Sequence, residues 1–73
     1  MERLLNDAAF DAYLDWREES AEVWHAYKRW TGAPAREARR TFWAYRAALE
    51  REEQAARVYW RLVSRLEART PTR

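Results

Sequence analysis

At 73 residues the chain holds one domain at most, and with no cysteine it has neither a disulfide nor a thiolate metal site to staple so small a core. It contains no run of 18 apolar residues and no secretory signal pattern, so a membrane span is excluded and a cytoplasmic setting is expected. The net charge of +2 is unevenly divided: residues 1–31 carry seven acids and four bases (−3), and residues 32–73 carry five acids and ten arginines (+5).

Thirteen Arg, a single Lys (Lys28) and no Ile make the composition of a GC-rich bacterial genome. Aromatic residues are 15% of the chain, five of them Trp, which is more large apolar surface than two helices can hide between themselves. An oligomer or a docked subunit is therefore expected.

The first helix is predicted over about 2–31. Asn6 and Asp7 are alternative N-caps, and no Gly or Pro interrupts Ala8–Trp30. Two apolar lines run along it. One is Phe10, Tyr13, Arg17, Ser20, Trp24, Tyr27; the other is Ala9, Tyr13, Trp16, Ser20, Val23, Tyr27, Trp30. Together they make a face too broad for one helix partner. A turn follows at 31–33, with Gly32 expected as a left-handed C-terminal cap and Pro34 in the first turn of the next helix. The second helix is predicted over about 34–68, and 70–73 is a tail.

Between Phe42 and Leu66 the series Phe42, Tyr45, Leu49, Glu52, Ala56, Tyr59, Val63, Leu66 alternates steps of three and four, the mark of a helix seam. The fold expected is an all-α antiparallel hairpin that pairs into a homodimeric four-helix bundle. The expected seam is Phe10, Tyr13, Trp24, Tyr27, Phe42, Tyr45, Leu49, Ala56, Tyr59 and Val63. Trp16, Val23, Trp30 and Trp60 are left for the subunit interface. With the turn near residue 33, level residues have numbers that sum to about 66. Trp24 then lies beside Phe42, Tyr13 beside Glu53, Phe10 beside Ala56 and Leu4 beside Leu62. The tetrads Phe10–Tyr13, Trp24–Tyr27 and Phe42–Tyr45 share the pattern aromatic-x-Ala-Tyr, and the first two are 14 residues apart.

A carboxylate inside an apolar seam is costly unless it is paired. Arg17 is the cation in the facing seam nearest Glu52, so a buried Arg17–Glu52 ion pair is expected, with a role in setting register. Glu22 and His25 have the Glu-x-x-His spacing of diiron four-helix proteins and are the candidate metal ligands. That spacing resembles a ferritin-like hairpin, but no carboxylates occupy the facing level of the second helix. His25 is the only histidine, so nucleophilic triads lack their parts. Neither an enzyme nor a cofactor is expected.

On the outer side of the second helix, Arg36, Arg40, Arg61 and Arg65 share a meridian with Trp43, flanked by Arg39, Arg57 and Arg69. Arginine with an interleaved aromatic suits phosphate and base stacking, which makes nucleic acid an alternative partner, although Glu37, Glu50, Glu53 and Glu67 interrupt the stripe. Trp30-Thr31-Gly32 resembles the Trp-x-Gly turn of the small secreted WXG-type helical hairpins. The resemblance covers these three residues and the hairpin itself, and implies a paired four-helix bundle exported by a dedicated machine. The family's Tyr-x-x-x-Asp/Glu signal is replaced here by Arg-Thr-Pro-Thr-Arg. The function expected first is a small interaction or assembly module whose partner is a second copy or another helical protein.

Overall fold

A computed structural model of the chain describes residues 2–69, with side chains from 4 to 68. It is an all-α helical hairpin in which α1 spans Glu2–Thr31 and α2 spans Ala35–Arg69. Neither helix contains Gly or Pro. Lys28 and Arg29 in the last turn of α1, and Glu37 in the first turn of α2, oppose the partial charges of the helix ends. The predicted tail at 70–73 lies outside the described residues. No described helix is long and apolar enough to cross a membrane.

The turn is closed differently from the expectation. Gly32 does not have a positive φ, so the left-handed cap is not formed. Its N–H donates to the Lys28 carbonyl at 3.0 Å, and the Ala33 N–H donates to the Trp30 carbonyl at 3.2 Å. A Cβ at Gly32 would stand 3.3 Å from that same Lys28 oxygen. Glycine is favoured here by a close approach of backbone, with no demand from the dihedral angle. Pro34 stands just before α2, and its carbonyl accepts the Glu37 N–H at 2.8 Å.

The two helices meet along alanine. Among the described residues Ala9, Ala12, Ala26 and Ala48 are the buried apolar ones, and Ala48 has no exposed surface. On α1 they continue through half-buried Trp16, Glu19, Val23 and Trp30, in alternating steps of three and four. On α2 the corresponding line is Thr41, Tyr45, Ala48, Glu52, Ala55, Tyr59, Leu62, Leu66. Small side chains let two helices approach closely at these levels, and the rings of the same line stack across the contact, Trp16 on Tyr59 and Trp30 on Tyr45. The expected seam is corrected accordingly. Phe10, Trp24 and Tyr27 are exposed, while Phe42, Leu49, Ala56 and Val63 sit half-buried at the edge of the contact.

Register is also corrected. Side chains that meet across the helices have numbers that sum to 68–76 rather than 66, with Tyr13–Tyr59, Tyr27–Tyr45 and Trp30–Phe42 at 72. Side chains lean toward their own helix N-terminus, and in an antiparallel pair the two leans add in the same sense. Leu4, expected against Leu62, is instead 70% exposed.

The hairpin measures 56 × 18 × 15 Å, with a radius of gyration of 16.7 Å where a compact chain of this length has about 11 Å. Its accessible surface is 6022 Å², against about 4800 Å² for a compact protein of 8.9 kDa. Four buried alanine methyls contribute on the order of 3 kcal/mol, little for a domain. The aromatic surface must account for much of whatever stability the protein has.

Candidate interface

The helices hold nine of the chain's eleven aromatic rings in two clusters, and Trp43 touches Phe42 at 5.6 Å from the outer side of α2. Far from the turn, Trp16 stacks on Tyr59 at 5.4 Å, with Tyr13 5.6 Å from Tyr59 and Trp60 6.3 Å from Trp16. Near the turn, Trp30 stacks on Tyr45 at 5.4 Å and meets Phe42 at 5.1 Å, and Tyr27 joins them 5.6 Å from Tyr45. Trp24 lies nearly parallel to Tyr27 at 6.0 Å, with the Lys28 ammonium over its ring at 5.7 Å.

Both clusters open on one side of the hairpin. Residues one step past the alanine line on α1 (Phe10, Tyr13, Arg17, Ser20, Trp24, Tyr27) and on α2 (Phe42, Leu49, Ala56, Val63) are turned about 100° to the same flank, because the helices run antiparallel. A groove of about 310 Å³ on that flank is lined by Phe10, Tyr13, Tyr59, Val63 and Leu66 over Ala9. Most of the residues expected to form the internal seam are thus brought together as an outward face, while Tyr45 and Tyr59 lie on the contact line as expected. The opposite flank is polar and carries the Glu19–Arg51 ion pair at 3.3 Å.

Between the clusters lies a polar waist. Glu52 does not pair with Arg17. Its carboxylate accepts the Trp16 indole N–H at 2.6 Å and, more loosely, the Ser20 hydroxyl at 3.5 Å. Arg17 points along the open flank, donating to the Tyr13 hydroxyl at 2.8 Å with its guanidinium 5.7 Å from that ring's centre. The reason is rotational: Arg17 is one residue, about 100°, beyond Trp16 and cannot face the seam when Trp16 does. Of the four residues set aside for a subunit interface, Trp16, Val23 and Trp30 are half-buried within the hairpin contact, and Trp60 remains 54% exposed.

Glu22 and His25 stand 3.9 Å apart with both side chains more than half exposed. Among the described residues no three His, Cys, Asp or Glu side chains gather where they would hold a metal ion. On the outer side of α2, Arg36, Arg40, Arg61 and Arg65 are exposed; Arg40 lies 3.7 Å from Glu37, and Trp43 is 59% exposed.

The fold sorts charge along its length. Residues 23–49, around the turn, carry Lys28, Arg29, Arg36, Arg39, Arg40 and Arg46 against Glu37, or +5. The far part of both helices, residues 2–22 and 50–69, carries eleven acids against seven arginines, or −4. No protein-family model matches the chain, and no curated protein or solved structure matches it.

Proposed function

We propose that this chain is a small, non-enzymatic assembly module of the cytosol that oligomerises through its aromatic face. The observation that supports this best is the exposure of that face: Phe10 at 60%, Trp24 at 57% and Trp60 at 54%, all on one flank. Large exposed apolar patches on small proteins are interaction sites or aggregation hazards. The surface in excess of a compact monomer, about 1200 Å², is of the size that a subunit contact removes. Two hairpins laid face to face make a four-helix bundle, the simplest closed arrangement that covers both faces. Sedimentation equilibrium at micromolar concentration tests this. A mass of 17.8 kDa, twice 8.9 kDa, is expected, and a folded monomer rejects the reading.

A second reading has its own support. Trp43 is exposed with Arg39, Arg40 and Arg46 three or four residues away, where neighbours on a helix surface lie. That combination fits nucleic acid held by phosphate contacts and base stacking. Titration with single- and double-stranded DNA and RNA, repeated over a range of salt, tests it. A steep salt slope is expected, and no binding at low salt removes it.

A further inference from the structure

The open flank of α1 is a palindrome. Phe10, Tyr13, Arg17, Ser20, Trp24 and Tyr27 follow steps of three, four, three, four and three, with two aromatics, two polar residues and two aromatics in order. Its centre falls between Glu18 and Glu19. On the open flank of α2 the heptad series Phe42, Leu49, Ala56, Val63 is centred between Glu52 and Glu53, with Trp60 beside its far end. Under the observed pairing of Tyr13 with Tyr59 and Tyr27 with Tyr45, these two centres lie at one level, within a residue of each other. A two-fold axis pairs each position of such a face with its counterpart from the other end, so that aromatic lies on aromatic and polar on polar.

We infer that the aromatic face takes a second copy of this chain turned end for end, so that the turn of each hairpin lies over the far end of the other. The inference rests on the proposed self-association and adds its partner and its geometry. The two-fold axis runs across the helices at the waist, and α1 packs antiparallel on α1 of the second copy. Phe10 then meets Tyr27 of the other chain, Tyr13 meets Trp24, and Arg17 meets Ser20. The cluster far from the turn covers the cluster near it, and the Trp24 and Phe10 rings lose their exposure together.

Charge selects this orientation over the alternative. End for end, the +5 region around each turn lies over the −4 far end of the other copy, twice by symmetry. With the turns side by side, +5 would lie on +5. Long-range attraction of this kind sets orientation and speeds encounter more than it adds affinity. The area is sufficient: a face 56 Å long and 18 Å wide offers on the order of 900 Å² per copy, where a standard interface uses about 800 Å².

The chain's lack of cysteine makes the test direct. Ala35 is exposed at the start of α2, beside the turn, so Ala35→Cys places a single spin label there without touching the aromatic face. Pulsed dipolar spectroscopy of the full chain, with sedimentation equilibrium on the same sample, gives both answers. A dimer with labels about 50 Å apart is expected from the helix rise on either side of the axis. A dimer with labels about 20 Å apart or less overturns the end-for-end arrangement and leaves self-association standing. A monomer overturns both.

Discussion

The indole N–H of Trp16 and the carboxylate of Glu52, 36 residues apart, are joined across the hairpin at 2.6 Å. This hydrogen bond sits level with the waist between the two aromatic clusters, and Trp16 itself belongs to the cluster far from the turn. A bond to an ionised acceptor is about twice as strong as a neutral one, and indole has a single donor to give. The contact therefore ties the alanine line, the aromatic cluster and the register together at one point.

Trp16→Phe keeps a ring in the cluster and removes the donor, leaving Glu52 with Ser20 at 3.5 Å. A loss of about 1–3 kcal/mol is expected from urea unfolding at fixed protein concentration. Pairing it with Glu52→Leu should recover part of that loss, since the half-buried carboxylate no longer lacks a donor. Arg17→Met, in contrast, is expected to cost less than Trp16→Phe, because Arg17 bonds Tyr13 on its own helix and makes no bond across the hairpin. A larger loss from Arg17→Met than from Trp16→Phe would reverse the assignment.

Ala48 has no exposed surface, so Ala48→Leu must push the helices apart. An overpacking cost of about 1–3 kcal/mol is expected, seen as a lowered Tm. Trp43→Ala, on the exposed outer side of α2, should leave the Tm nearly unchanged despite removing a far larger group. Equal sensitivity at the two positions would mean that alanine does not form the contact line.

Trp60 and Trp43 are similarly exposed, at 54% and 59%, but Trp60 joins the cluster of Trp16 and Tyr59 whereas Trp43 projects among arginines. Trp60→Glu is expected to shift the sedimentation equilibrium toward monomer at least tenfold, with helicity by circular dichroism retained. Trp43→Glu should not weaken self-association. If Trp43→Glu alone dissociates the protein, the contact lies on the other side of α2.

Gly32→Ala is expected to change stability by less than about 1 kcal/mol. The backbone angle suits alanine, the unfolded chain loses freedom, and the Lys28 carbonyl must yield by a few tenths of an ångström from the 3.3 Å approach. A loss of 2 kcal/mol or more in chemical denaturation would show that the turn depends on a left-handed residue.

Two helices, a turn at Gly32 and an aromatic surplus in need of a partner are all legible in the sequence. Each rests on local chemistry: helix-compatible residues without interruption, one Gly, one Pro, and apolar spacing near 3.6. Which apolar line faces inward was not legible, because α1 and α2 each carry two lines one residue apart. Periodicity is equally satisfied by Phe10, Tyr13, Trp24, Tyr27 and by Ala9, Ala12, Ala26. Size and hydrophobicity favour the first, and the expected seam followed them.

The tertiary structure chose the second line. Alanine lets the helices come close, Trp16, Trp30, Tyr45 and Tyr59 stack across that contact, and Phe10, Trp24, Tyr27 and Trp60 stand at the edge and face outward. That rotation of about 100° also moves Arg17 out of reach of Glu52 and brings Trp16 to it. By itself, then, the sequence determined a helical hairpin with more aromatic surface than it can bury. Only the packing of one helix on the other decided that this surface is a single open face, because the closeness of two helix axes is a property of the pair and is written in neither helix alone.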